Sequence, residues 1–354
     1  MQWSGLILSA SLIFHLSCTK TKTISPSPGG SSNVTNGWLI PTNQVFDGGP
    51  GKDGIPSIDN PNFTTTTEVD FLQSDDLVLI MKTEGDIKAY PHPILDWHEI
   101  VNDEISTEKY SITYCPLTGT GIAWDRVIQG TETTFGVSGL LYNTNLMPYD
   151  RHTGSTWSQQ RLDCVNGQLV GSRVQTLTLV ETTFETFLTS YPKGKVLNLE
   201  TGFDRSYGDY PYGDYRQNDA KLLFPVTTKD NRLPLKTRTL GVLLGASGRK
   251  VYTFGKGEAE IELHRDNLGE KDLVIIRSIP RNFIVAFEDD GLELTLVADR
   301  FPIVLKDKNA VTYDFLGAVM EGPVDVSPLH LPTQFIGYWF SWGAFYPAIE
   351  ISDW

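Results

Sequence analysis

Phe184-Glu-Thr-Phe-Leu-Thr-Ser-Tyr-Pro192 and Trp339-Phe-Ser-Trp-Gly-Ala-Phe-Tyr-Pro347 share one pattern, with aromatic residues at the first, fourth and eighth positions and proline at the ninth. Upstream, the pair Gly167/Gly171 resembles Gly317/Gly322, and Tyr149-Asp150 resembles Tyr313-Asp314. Further back, Gly130-Thr-Glu-Thr-Thr134 resembles Gly291-Leu-Glu-Leu-Thr295, and Ile122-Ala-Trp-Asp125 resembles Val285-Ala-Phe-Glu288. The order is the same both times, and colinear self-similarity is the sequence mark of a duplicated unit. We expect two tandem, distantly repeated domains, residues 38–216 and 217–354.

Strand signals recur through both, as in Asp75-Asp-Leu-Val-Leu-Ile-Met81, Lys109-Tyr-Ser-Ile-Thr-Tyr114, Asp272-Leu-Val-Ile-Ile276 and Phe283-Ile-Val-Ala-Phe287. Helix signals are confined to residues 93–102, 182–190 and 335–345. The fold class is therefore mainly β with short helices, α+β.

At 354 residues the chain is long enough for two cores. Its 40% hydrophobic and 20% charged residues are ordinary globular usage. A formal charge of −14 leaves no basic face for nucleic acid. At the amino terminus the apolar run Gly5 to Phe14 is of signal-peptide length, too short to span a membrane permanently. It ends in Leu16-Ser-Cys18, which resembles a lipoprotein cleavage box, so residues 1–18 read as a signal peptide with Cys18 lipidated. Residues 19–37 are rich in Thr, Ser, Pro and Gly and read as a tether. The expectation is an exported lipoprotein of the outer membrane, periplasm or cell surface, touching membrane only through its anchor.

The repeat separates what serves the fold from what is special. Sliding Ala123 onto Ala286 sets Cys115 opposite Ser278, and Pro91-His92-Pro-Ile-Leu-Asp-Trp-His98-Glu99 has no match in the second copy. The first copy thus reads as the working one and the second as degenerate. Pro93 at the start of a helix would place Ile94, Leu95, His98 and Val101 on one face, so His98 points inward. Cys115 ends a strand before a Pro/Gly/Thr loop, a way to present a side chain at a sheet rim. His92, His98 and Cys115 are donors suited to copper or zinc. The same atoms suit a Cys115–His98 nucleophile pair, with Glu99 or Asp96 orienting the imidazole. Cys115 and Cys164 could instead form a disulfide. Arg126 and Arg151 are suited to bidentate contacts with a carboxylate or phosphate, or to locking strands together. Tyr207 to Tyr215 is a Tyr/Gly loop that either lines a recognition surface or packs as a connector.

Several stretches together resemble an uncharacterised prokaryotic family, domain of unknown function thirty-one seventy-nine. They are Gly49-Pro-Gly-Lys-Asp-Gly-Ile-Pro56, the run from Ala89 to Asp103, Tyr114-Cys-Pro-Leu-Thr-Gly-Thr-Gly121, Phe135 to Asn143 and Tyr149 to Trp157. The resemblance covers nearly the whole mature chain and implies kinship with exported proteins of bacteria and archaea. Members of that family often read Cys-Pro-Leu-Cys where this chain has Cys115-Pro-Leu-Thr118.

The functional expectation is an extracytoplasmic enzyme or redox protein with Cys115, His98, Glu99 and Arg126 in catalytic roles. Arg151, Tyr142 and Tyr212 are its substrate contacts, and a copper or zinc ion on His92, His98 and Cys115 its cofactor. The alternative is a non-catalytic surface module that binds glycan or protein through the Tyr-rich loop and exposed tryptophans.

Overall fold

The chain is described by a computed structural model over residues 37–352 apart from Glu84 and Glu258, so Cys18 and its signal peptide lie outside the described residues. Strand Leu77–Thr83 forms a hairpin with Asp86–Pro91. Val180–Thr183 adds antiparallel to its first strand, and Lys195–Leu197 adds parallel to its second. Between those outer strands lies helix α2, Phe184–Ser190, whose N-cap Thr183 accepts a hydrogen bond from the Thr186 amide. The same arrangement occurs in the later half. There Arg238–Leu243 pairs with Arg249–Thr253, Thr333–Tyr338 adds antiparallel, Glu350–Ile351 adds parallel, and helix α3, Trp339–Phe345, joins the two.

A three-stranded meander follows the hairpin in each half: Ile100–Ile105, Glu108–Cys115 and Thr120–Asp125 first, Glu262–Leu268, Lys271–Ser278 and Phe283–Glu288 second. Their registers agree. Cys115 faces Thr120 where Ser278 faces Phe283. The inner faces also agree in chemistry, because Lys88 and the Tyr90 hydroxyl both meet Asp103 where Lys250 and the Tyr252 hydroxyl meet Asp266. These pairs, buried in the first half and half-buried in the second, hold hairpin to meander in both.

One matched pair is displaced. Asp150 ends the third strand of the five-stranded sheet running Val45–Asp47, Phe135–Tyr142, Asn145–Asp150, Thr156–Ser158 and Asp163–Asn166. In the later sheet the corresponding place, just after Ile303–Lys306, is Asp307 rather than Asp314. Each carboxylate accepts from a ring on the next strand, Trp157 in one case and Tyr313 in the other.

The expected helix over residues 93–102 is shorter. Helix α1 is His92–His98, and Glu99 leaves it at φ 58°. The β-branched Ile100 and Val101 then begin a strand, as their propensity favours. Likewise residues 182–183 and 335–338 are strand, ahead of α2 and α3.

The cores mix the two halves. One joins Val78, Phe187 and Val196 to Ile276, Phe283 and Phe315. Another joins Cys115, Trp124 and Trp157 to Phe335, Trp339 and Trp342. The described residues accordingly make one compact unit. With each large apolar side chain contributing roughly 1.5–3 kcal/mol on burial, neither half holds its full stabilisation alone.

Candidate functional site

Cys115 closes the central strand of the first meander and is buried, 1% exposed. Two strained backbones flank it. On one side Glu99 sits at φ 58°, ψ −31° as the residue that ends α1. Its amide bonds to the Leu95 carbonyl at 2.8 Å, and its carbonyl accepts from the Tyr114 amide at 2.6 Å. On the other side the turn between Phe135–Tyr142 and Asn145–Asp150 puts Asn143 and Thr144 at φ 51° and 65°. For a β-branched residue that is a marked outlier. The Cys115 thiol donates to the Thr144 carbonyl at 3.7 Å. Such conformations cost of order 1–3 kcal/mol each and gather where function fixes the backbone.

The charges are as unusual. Burial pushes the Glu99 carboxyl up to about 7, with Asp96 adding to the shift and the Tyr212 hydroxyl, which donates to Oε1 at 3.1 Å, opposing it. Burial and the neighbouring Glu99 push the Cys115 thiol up to about 11, while the polar groups of Thr118 and the Leu146 backbone pull it down. Beneath lies a fully buried polar floor in which Gln159 meets Thr113, Thr120 and Asn145. Thr118, where the family resemblance offers a second cysteine, instead joins this floor, its hydroxyl meeting Thr120 and accepting from Asn145.

The structure does not make His98 the partner of Cys115. Its Nδ1 is 2.7 Å from the Pro56 carbonyl, which only accepts, so Nδ1 carries the proton. Nε2 is then left to accept from the Tyr207 hydroxyl at 2.6 Å. Burial lowers the histidine's pKa, which agrees with a neutral ring. His92 belongs to a separate cluster at the start of α1. Its Nε2 lies 3.0 Å from Glu181, too poorly aligned for a good hydrogen bond, and its Nδ1 lies 3.2 Å from the Tyr114 hydroxyl. Burial opposes a charge on Glu181, but Arg238 and His92 outweigh it and hold that carboxyl down at about 2.

The expected metal centre on His92, His98 and Cys115 is therefore not assembled, because each has its own partners elsewhere. Among the described residues no group of three or more His, Cys, Asp or Glu is placed to hold a metal ion. Nor do Cys115 and Cys164 form a disulfide; both are free thiols.

Arg126 and Arg151 take the locking role. Arg126 donates to the Asp103 and Thr133 carbonyls and to Glu132. Arg151 binds Asp59 at 2.9 Å and Ser57 at 2.8 Å, fastening the approach segment to the sheet. Tyr142 packs edge-on against Phe345 in a small separate core. Tyr212 alone of the expected substrate contacts reaches the site.

The Tyr-rich loop is a packed cover rather than an exposed recognition surface. Tyr210 donates to the Pro116 carbonyl at 3.1 Å and Tyr215 to the Leu117 carbonyl at 2.9 Å, beside the bonds of Tyr207 and Tyr212 already described. Arg216 holds the buried Asp96 at 2.6 Å. The tryptophans at 124, 157, 339 and 342 are fully buried, so they offer no exposed platform.

Sequence reading missed Thr144, Asn143, Thr118 and Arg216. Only the spacing of the tyrosines hinted at the cover; nothing in residue type announces the backbone strain at Glu99.

The family model described as Protein of unknown function (DUF3179) matches residues 52–349, a span that takes in the whole site. No curated protein and no solved structure matches the chain.

Proposed function

Taking as premise that the chain belongs to the DUF3179 family of proteins of unknown function, we propose that it is an exported, lipid-anchored enzyme or redox protein working through the Cys115 thiol, with Glu99 rather than His98 as proton partner. One observation carries this reading. A buried carboxyl lacking a basic partner, held at a strained backbone position and raised to about 7, stands beside a buried thiol. A carboxyl in that range suits acid–base work near neutrality.

The step is attack of Cys115 Sγ on a disulfide sulfur or acyl carbon of the substrate: the S–H proton passes to the Glu99 carboxylate, the new bond to sulfur breaks the substrate's bond to its thiol or alcohol leaving group, and Glu99 returns the proton to that leaving group. Between pKa values of about 11 and about 7 the transfer is uphill by about 5 kcal/mol. It is therefore coupled to bond formation and leaves little free thiolate at rest. The polar groups of Thr118 and the Leu146 backbone steady the sulfur's developing charge. No metal enters this reading.

The shared strand order and register support a duplication with boundaries near 38–216 and 217–354, in which the second copy is a scaffold. Anchoring through Cys18 follows from the Leu16-Ser-Cys18 box.

The test is the absorbance of the Cys115 thiolate against pH, taken as a difference from Cys115→Ser, in the unaltered protein and in Glu99→Gln. Removing the carboxylate should lower the thiol's pKa, each unit giving about tenfold more thiolate at a fixed pH. An unshifted titration contradicts the partnership.

A further inference from the structure

Between Leu197 and Arg238 the chain forms no helix or strand, an uncommon length for a connection inside a compact unit. Connections this long usually serve the site they cover. At the foot of this one, the Lys236 ammonium gathers the carbonyls of Tyr215, Asn218 and Lys221. Its upper part lies directly over Cys115 and Glu99, which are 1% and 6% exposed. No substrate reaches the sulfur while that cover is down.

The walls and the cover are held differently. Cys115 is the end of a strand paired on one side up to the cysteine itself and on the other up to Thr113, and the Asn143–Thr144 turn closes a second hairpin. The cover instead rests on side-chain bonds, from Tyr210 to the Pro116 carbonyl and from Tyr212 to Glu99, and on the half-buried rings of those two tyrosines against the core. Bonds of that kind contribute about 1 kcal/mol each, so the cover lifts before the sheet opens. Gly208 and Gly213 bracket these tyrosines at φ 99° and 62°, and a Cβ at either would meet nothing within 4 Å. Glycine is present there for backbone freedom and not for space, as at a hinge.

We propose that residues 208–213 are a lid over Cys115, hinged at Gly208 and Gly213 and latched by Tyr212 on Glu99, which lifts to let the thiol meet its substrate. This rests on the reading of Cys115 as the reactive group. The Trp97 indole, which donates to the Asp209 carbonyl at 3.0 Å, marks where the lid tip settles on α1.

Native-state alkylation with iodoacetamide, followed cysteine by cysteine by peptide mass spectrometry, tests the lid, with buried Cys164 as the clock for global unfolding. In the unaltered protein Cys115 should react at least tenfold faster than Cys164. Tyr210→Ala combined with Tyr212→Ala should speed Cys115 about fivefold per lost bond and leave Cys164 unchanged. Equal rates at the two thiols in both proteins overturn the proposal. Should the double variant unfold, low urea decides in the unaltered protein. A lid gives Cys115 a nearly flat response while Cys164 accelerates; parallel slopes overturn it. Each labelling rate is divided by the thiolate fraction that the absorbance titration gives for that cysteine, so the comparison reports access alone and the lid fails separately from the proton partnership.

Discussion

Glu99 and Glu262 hold the same place in the two meanders. Each immediately precedes, or begins, the first strand, and each stands across from the residue one before the end of the middle strand, Tyr114 and Arg277 respectively. Their surroundings differ. Glu262 accepts from Arg277 Nε at 2.9 Å, and the sulfur position beyond it is Ser278. Glu99 has a tyrosine where that arginine would be, a thiol where the serine would be, and a helix and a lid that keep water off. The same backbone position thus carries a neutralised ion pair in one half and an isolated acid in the other. The contrast teaches that this backbone position accepts either a paired carboxylate or a buried unpaired one, and that the unpaired one carries a cost in stability when ionised.

The largest effect should come where the halves lean on each other. Arg238, from the second half, neutralises Glu181 of the first. Arg238→Ala leaves that carboxylate buried without its main partner and should destabilise the protein by about 3–5 kcal/mol at neutral pH, measured by urea unfolding. A loss below about 1 kcal/mol would break the claim that the halves share this charge cluster.

Next comes the pH dependence of stability. The folded pKa of Glu99 is raised from 4.5 to about 7, so its neutral form favours the folded state. That contribution is complete below pH 4.5 and is lost as pH climbs through 7, a fall of about 3 kcal/mol. Glu99→Gln should abolish this fall in a series of unfolding curves and be the more stable protein at pH 8. Glu181 has the opposite sign, since its pKa is lowered from 4.5 to about 2; its contribution is present above pH 4.5 and lost as pH drops towards 2.

Arg277→Met sharpens the comparison by giving Glu262 the isolation of Glu99. The expected cost is about 1–3 kcal/mol, measured by urea unfolding. The smallest effect is at Tyr212→Phe. Its hydroxyl steadies the Glu99 carboxylate, so the variant should lose about 1 kcal/mol at pH 8 and less at pH 5. A larger loss at pH 5 would reverse its role.

Much of the fold was legible in the sequence. The aromatic pattern at Phe184 and Trp339 falls on α2 and α3, and sliding Ala123 onto Ala286 reproduces the register that sets Cys115 against Ser278. The β-rich class was readable because large buried side chains and strand alternation follow from local sequence. The sheet match of Tyr149-Asp150 with Tyr313-Asp314 slipped because an Asp closing a turn looks alike at either of two successive strand ends. The site was legible only as a neighbourhood. Cys115 and Glu99 were named, but His98 was paired with the thiol from an assumed continuous helix, and α1 ends at that residue. Which way its ring turns depends on Pro56 and Tyr207, distant in sequence. Arg126 and Arg151 read equally as anion binders or strand locks, and only their partners decide.

The central claim is that Glu99 is an isolated buried acid, and observing its carboxyl carbon by NMR across a pH titration, assigned by its disappearance in Glu99→Gln, tests it most directly. We predict a midpoint near 7. A midpoint in the ordinary glutamate range of about 4 to 5 would contradict the account.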